Sequence, residues 1–320
     1  MNESIPLTVP ETANWLINRD AFLIITHRRP DGDAIGSASA LAQGLREFGK
    51  VAFVLSNPDT TPRYERFIED YLAPEGFIPS FVISVDTASC DLFPSNGKEY
   101  VDSVSLCIDH HPSNTNYAQR LCLDGSCASC GEIIYDILFL INGEVTPITA
   151  QSLYVALSTD TGCFSYANTT ANTLRVAGLL VEAGAPLAEL NRSLFRTKTR
   201  GRIKIEGMIF SGLSFHFDGA VAISTITLAM KEEANATEDD IDDIASIPGS
   251  VKGVLVGITI RELSSPKDCK VSVRTSPKIN ASDICARFGG GGHSMAAGFS
   301  LEASVSDIRD SLLGALADFL

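Results

Sequence analysis

The segment HRRPDGDAIGS, residues 27–37, sets His27, Asp31 and Asp33 within seven positions, directly after the apolar run AFLIIT. A plain turn would use some of these residue types, with Pro30 and Gly32 in the bend and Asp33 capping the next helix. An imidazole and two carboxylates so close together also make half of a metal site. Three further segments carry the same chemistry: SVDTAS with Asp86, IDHHPSN with Asp109, His110 and His111, and STDTGCF with Asp160. Of the five histidines, His27, His110, His111 and His293 sit in loops rich in Gly, Asp or His, whereas His216 lies in a plain strand pattern and reads as structural. Asp carboxylates with one or two imidazoles per ion form a hard, oxygen-rich site suited to Mn²⁺ or Mg²⁺ rather than to structural zinc. Two such ions roughly 3.5–4 Å apart can hold an attacking hydroxide and polarise a phosphoryl oxygen. Divalent cations also relieve the repulsion between crowded carboxylates.

Those residues need a scaffold that brings four separate segments together. The first 165 or so residues alternate short β-branched runs (AFLIIT, VAFVL, SFVISVD, SLCID) with helical patterns. DAIGSASALAQGLREFG places Ile35, Ala38, Leu41, Ala42 and Leu45 on one helix face and ends at Gly49. Apolar runs without polar alternation suit a parallel sheet covered on both faces, and strands alternating with helices predict a doubly wound α/β domain. Ligands in such sheets bind at the carboxyl ends of the strands, where His27, Asp86 and the 109–111 triplet fall. TPITAQSLYVALSTDTGCF reads as a helix running into a turn that carries Asp160.

The C-terminal part restarts with LSFHFDGAVAISTIT, a hairpin turning at Asp218-Gly219. TEDDIDDIASIPG reads as an acidic-fronted helix with Thr237 as its cap. VKGVLVGITIRE and CKVSVRTS read as strands, the second with Lys270, Ser272 and Arg274 on one face. A short helix NASDICARF, the glycine loop GGGGHSMAAGF and an amphipathic final helix complete a second, smaller α/β domain. In the loop, Gly289 to Gly292, including Gly290 and Gly291, can turn backbone N–H groups toward an anion, with His293 adding a donor or a stacking face. Arg192, Arg196, Lys198, Arg200, Arg202 and Lys204 form a basic run between the two parts. It reads either as a solvated connector or as a positive wall facing an anionic substrate.

Composition bounds the partners. The net charge of −14, from 39 acidic and 25 basic residues, argues against an extended surface for long nucleic acid. No apolar run approaches the roughly 18–20 residues of a membrane span, and MNESIPLTVPETANW lacks the pattern of a signal peptide, so a cytoplasmic protein with no membrane partner is expected. The eight cysteines then read as reduced thiols. CLDGSCASCGE pairs Cys127 with Cys130 and has Cys122 upstream, but no second pair or histidine follows at metal spacing, and it is given no role.

The four motifs in this order, with the triplet Asp109-His110-His111, resemble the DHH phosphoesterase family. FGGGGHSMAAGF resembles the glycine-rich motif of that family's associated C-terminal domain, so the resemblance spans nearly the whole chain. It implies an α/β fold with a doubly wound, mainly parallel N-terminal domain and a smaller α/β domain across a cleft. The implied division is a phosphoesterase domain at 1–187, the basic linker at 188–204 and a substrate-binding domain at 205–320. His27, Asp31 and Asp86 would hold one ion, Asp33, Asp86, His110 and Asp160 the other, with Asp86 bridging. His111 would lie beside the substrate phosphate, and Asp109 would orient His110 from behind. Arg274 matches a strand arginine that reaches a terminal phosphate, beside Gly290, Gly291, Gly292 and His293. Arg28 and Arg29 stand where the family varies and receive no role. The implied activity is two-metal hydrolysis, with Mn²⁺ as the main ion and Mg²⁺ or Co²⁺ as substitutes, of very short oligonucleotides or adenosine 3′,5′-bisphosphate. Cyclic or linear dinucleotides are the alternative substrates, a non-catalytic nucleotide-binding module is the alternative of another class, and a homodimer is implied by family likeness.

Overall fold

The computed structural model describes residues 4–241 and 243–320. Residues 1–3, at the start of the N-terminal segment, and Asp242, inside the acidic stretch expected as a helix, lie outside the described residues. The chain forms two compact units that divide between Thr197 and Lys198.

The first unit holds six parallel strands: β1 (Ile5–Pro6), β2 (Phe22–Ile25), β3 (Ala52–Val54), β4 (Phe81–Val85), β5 (Val104–Asp109) and β6 (Arg120–Leu123). Their spatial order is β1-β6-β5-β4-β2-β3. The chain leaves β2 to one side and returns as β4 on the other, which opens a crevice at the carboxyl ends of these two strands. Its helices are α1 (Val9–Ile17), α2 (Gly32–Glu47), α3 (Pro62–Ile68), α4 (Cys130–Asn142), α5 (Pro147–Asp160), α6 (Ala171–Glu182) and α7 (Leu187–Asn191). The four expected runs are β2 to β5. The short β1 and β6 carry no comparable apolar run and are strands only because β5 offers an edge for them to extend.

Alternation along the strands splits the core. Phe22, Ile24, Ile83, Val85, Leu106 and Ile108 pack under the helices, while Ile25, Val82, Val104 and Cys107 pack on the opposite face. That second face is covered by 3₁₀ turns at Cys90–Leu92 and Ser95–Ser103, where Pro94 and Gly97 disfavour a continuous α-helix. On α2, Ile35, Ala38, Leu41, Ala42 and Leu45 are all fully buried, as the pattern predicts. Gly32 departs from its sequence reading. It is the first residue of α2 rather than part of the bend, and a Cβ there would lie 2.4 Å from the Thr159 side chain on α5. This missing side chain lets the first turn of α2 meet the last turn of α5.

The second unit contains α8 (Arg200–Ser211), β7 (Ser214–His216), β8 (Val221–Ile226), α9 (Leu228–Ala234), β9 (Val256–Glu262), β10 (Asp268–Thr275), α10 (Ala281–Ala286), β11 (Gly291–Gly292), β12 (Ala296–Glu302) and α11 (Val305–Leu316). Its sheet runs β11-β12-β10-β9-β8-β7, with only β8 and β9 parallel. On β10, Cys269, Val271 and Val273 are buried, which turns Lys270, Ser272 and Arg274 to the other face. The acidic stretch is not one helix. It folds as 3₁₀ turns at Asp239–Ile241, Ile244–Ser246 and Pro248–Ser250, and Asp243 (φ 60°) is left-handed, which no right-handed helix can absorb. Thr237 caps only the first turn, exchanging main-chain N–H bonds with Asp240 at 2.8 and 3.4 Å.

Residues 188–204 are structured: most of α7, a π-helical turn at Arg192–Arg196 and the start of α8, with the unit boundary among them. Lys198 and Arg202 each pair with Glu206 at 2.6 Å, and Lys204 pairs with Glu233 at 3.4 Å. Three of the six cations are thus paired locally, two of them with the same carboxylate, which breaks up the run as a continuous positive wall. Among the described residues no helix is long and apolar enough to cross a membrane.

Candidate metal centre

Three of the motifs follow strands β2, β4 and β5 at the same edge of the sheet, and the fourth lies at the end of α5. After β2, Asp31 is the N-cap of α2, its Oδ1 accepting the N–H groups of Asp33 (3.0 Å) and Ala34 (3.1 Å). The cap is therefore Asp31, not Asp33, because Gly32 already lies in the helix. Asp33, in the first turn of α2, is buried with its carboxylate toward His110. The His27 Nδ1 lies 2.8 Å from the Arg28 carbonyl, and Asn57 donates to the His27 carbonyl at 2.9 Å. This leaves His27 Nε2 facing Asp31 Oδ1 at 3.9 Å and Asp86 Oδ2 at 3.8 Å.

Asp86 directly follows β4 with a left-handed backbone (φ 52°), a conformation that costs a non-glycine residue about 1–3 kcal/mol and persists only where the surroundings enforce it. Its N–H donates to the Ile108 carbonyl at 3.0 Å, which locks the turn against β5. Its two oxygens point at different partners: Oδ2 at His27, and Oδ1 at His110 Nε2 (3.4 Å) and His111 Nδ1 (3.6 Å). His110 Nε2 also lies 3.7 Å from both Asp33 Oδ2 and Asp160 Oδ2, so α2, β4, β5 and α5 converge on it.

The donor atoms fall into three groups, His27–Asp31–Asp86, Asp33–His110–Asp160 and Asp86–His110–His111, each with ligand atoms within 4.8 Å of one another. Electrostatics mark the place as short of positive charge. Burial and the neighbouring Asp33 carboxylate push Asp86 well above the usual carboxylate range. Burial and Asp33 likewise lift Asp160 to about 7. Burial alone would lower the histidines, but the carboxylates beside them outweigh it and raise His27 to about 9 and His110 to about 10. Among the described residues, Asp86 Oδ1 is buried without a hydrogen-bond partner. An orphaned carboxylate oxygen among surplus carboxylates and imidazoles fits a divalent cation, which would satisfy the oxygen and offset the charge.

Asp109 acts differently from its sequence reading. Fully buried, its Oδ1 accepts the His110 main-chain N–H (2.9 Å) and lies 2.8 Å from His111 Nδ1, while Asn114 donates to Oδ2 at 2.6 Å. It orients the ring of His111, not of His110, because residues two apart in extended chain share a side. The ring of His110 is held instead by the Cys127 carbonyl, 3.2 Å from Nδ1. Asn57 and Asn114 are absent from the sequence reading, and Cys127 enters it only for its thiol, whereas its main-chain carbonyl is what contacts His110. Their signal is weak, since a loop asparagine or a main-chain carbonyl carries no residue-type signature of support.

In the second unit, Arg274, next to the end of β10, lies opposite Ala296, and Ala296 exchanges main-chain hydrogen bonds with His293 at 2.8 and 3.2 Å. Arg274 and His293 therefore share one end of that sheet. The glycine run is a strand and tight hairpin rather than an open loop. The N–H groups of Gly289 and Gly290 bond to the Ala286 and Cys285 carbonyls at the end of α10, so Gly290 has none free for an anion. Gly291 and Gly292 pair with β12, and Gly292 (φ 146°) has no room for a Cβ, which would sit 2.7 Å from the Ala296 carbonyl oxygen. His216 bonds locally to Ser214 at 3.2 Å.

Asp and His donors gathered at the switch point of a parallel sheet form a group that could hold metal in an α/β protein. The N-terminal domain model of the DHH family matches residues 21–157, and that of the DHHA1 domain matches residues 218–320. The chain is 35% identical over 286 residues to the bifunctional oligoribonuclease and PAP phosphatase NrnA of Thermus thermophilus, covering 87% of this chain and 83% of the relative. It is 30% identical over 292 residues to the protein of the same name from Bacillus subtilis, covering 88% and 90%. In fold it is similar to an exopolyphosphatase-related protein from Bacteroides fragilis, with a TM-score of 0.87 and 21% identity over 97% of this chain and 96% of the other. The chain belongs to the DHH family of phosphoesterases, which are metal-dependent hydrolases.

Proposed function

We propose that the protein hydrolyses the phosphoester bonds of very short oligonucleotides and of adenosine 3′,5′-bisphosphate, using two divalent cations, Mn²⁺ foremost. The observation that carries this reading is Asp86, whose two oxygens face two different Asp/His groups. The relatives named oligoribonuclease and PAP phosphatase support the substrate class. His27, Asp31 and Asp86 would hold one ion, and Asp33, Asp86, His110 and Asp160 the other. When bound, such ions supply Lewis-acid charge to the phosphoryl group and lower the pKa of an attacking water. The chain's own residues preorganise the site: Asp31 is fixed by capping α2, and the Nδ1 contacts of His27 and His110 leave both Nε2 atoms for the ions. His111, oriented by Asp109 and partly exposed, would meet the substrate phosphate, while Arg274 and His293, at one end of the second unit's sheet, would bind a terminal phosphate.

The net charge of −14 supports short substrates over long strands. The test is a panel of short RNA, cyclic and linear dinucleotides, the nucleoside bisphosphate and pyrophosphate, run after EDTA treatment and after Mn²⁺, Mg²⁺ or Co²⁺ is restored. Turnover of short RNA and the bisphosphate should vanish with EDTA and return best with Mn²⁺. Undiminished activity after chelation, with metal analysis finding no bound ion, refutes the two-metal reading. A strong preference for pyrophosphate refutes the substrate class.

A further inference from the structure

The stretch that contains the unassigned C-x-x-C pair touches the metal centre through its main chain and one serine. Asp33 Oδ1 accepts hydrogen bonds from Ser37 Oγ (2.9 Å), Ser129 Oγ (2.9 Å) and the Gly131 N–H (3.2 Å). Among the described residues, Asp33 Oδ2 accepts only the Cys130 N–H, at 2.7 Å, and faces His110 Nε2 at 3.7 Å. Three of these four donors belong to residues 129–131, at the positive end of the thirteen-residue helix α4. The same turn supplies the Cys127 carbonyl that holds His110 and the Ala128 carbonyl that accepts from Asn168 at 3.2 Å; Asn168 also donates to the Asp160 carbonyl at 3.1 Å. Glu132 anchors the turn, accepting from the Ala128 N–H (3.1 Å), Thr173 (2.7 Å) and Asn172 (2.7 Å).

We propose that the Cys127–Glu132 turn is the positioning element for the Asp33–His110–Asp160 half of the centre, with Ser129 its key positioning residue. The proposal rests on the two-cation reading above. A carboxylate oxygen has about two lone pairs, so Oδ1, already accepting three donors, has nothing left for an ion. Oδ2 keeps one lone pair and faces the imidazole. Asp33 is thereby limited to one ligand oxygen, aimed before any ion arrives. Ser129 is fully buried, and its Oγ both donates to Asp33 and accepts the Gly131 N–H at 2.9 Å, tying the start of α4 to the first turn of α2. The His27–Asp31–Asp86 half is held by other contacts, the cap of α2 on Asp31 and the Arg28 carbonyl on His27, and among the described residues Ser129 bonds to none of its three ligands, so loss of Ser129 should act on one ion only.

The test titrates Mn²⁺ into metal-free full-length protein and follows the electron paramagnetic resonance signal of the free aquo ion. Wild type should bind in two steps. Ser129→Ala should weaken one step roughly 10- to 100-fold, the scale of lost outer partners of metal ligands, and leave the other within about three-fold. Ser129→Thr, which keeps the hydroxyl, should restore most of the loss. Ser37→Ala removes a donor from the same Oδ1 inside α2, where alanine favours the helix, and should weaken the same step by less. It keeps the test open if Ser129→Ala does not fold. Unchanged isotherms for the alanine variants overturn the proposal, and so does equal weakening of both steps or failure of the threonine to restore binding. A single step in wild type refutes the two-cation reading before any variant is compared.

Discussion

Replacing Asp160 by asparagine should make the metal-free protein more stable while destroying the function that the carboxylate serves. Asp160 closes α5 beside Asp33 and His110, where burial and the Asp33 charge raise its pKa from 3.8 to about 7. At about 1.36 kcal/mol per pH unit, that rise corresponds to about 4 kcal/mol of penalty on the ionised folded state. The side chain is 30% exposed, and its attraction to His110 at 3.7 Å is lost in the variant, so about 2 kcal/mol is the expected net gain. The sign follows from linkage: the penalty is absent below the unfolded value of 3.8, grows as pH rises toward 7 and is complete above it. In EDTA at pH 8, Asp160→Asn should unfold about 4–8 °C higher than wild type, and the gap should shrink to less than half at pH 5. Mn²⁺ should reverse the order. At a hundred-fold excess over Kd it adds about 2.7 kcal/mol to wild type and much less to a variant lacking one ligand oxygen. Scanning calorimetry at both pH values, with and without Mn²⁺, measures all of this. A variant no more stable than wild type in EDTA at pH 8 would refute the claim that unbalanced carboxylates strain the centre.

Two further outcomes are expected. Gly32→Ala places a methyl group 2.4 Å from Thr159, so denaturant unfolding should show a loss of about 1–3 kcal/mol, and Mn²⁺ titration a weaker site; unchanged stability and binding would contradict the close approach of α2 and α5. Arg274→Ala should raise KM for a short oligonucleotide with a terminal phosphate by roughly 10- to 150-fold, from about 1.5–3 kcal/mol for one charge-assisted pair, and leave a small chromogenic phosphodiester nearly unaffected. Equal losses on both substrates would mean that Arg274 supports the fold rather than the substrate.

Much of this molecule is determined by short-range sequence. The four runs are mostly apolar without strict alternation, as suits parallel strands covered on both faces, and most of the ionisable residues follow those runs, so their place at the carboxyl edge follows from topology. Residue types likewise determine the hard, oxygen-rich character of the centre, because few ions other than divalent cations balance such a set. What the tertiary structure decided is which side chain serves which neighbour. Whether Asp31 or Asp33 caps α2 turns on a one-residue shift in the helix start, and Asp109 serves His111 because the extended chain puts residues two apart on one side. The glycine run looks like an open anion loop until the partners of its N–H groups are known. The acidic stretch has helical composition, yet the left-handed Asp243 breaks it into turns. The turn at Cys127–Glu132 shows the difference most clearly. Its contribution comes from main-chain N–H and carbonyl groups and one serine hydroxyl, present in almost any sequence, and only the fold aims them at Asp33 and His110.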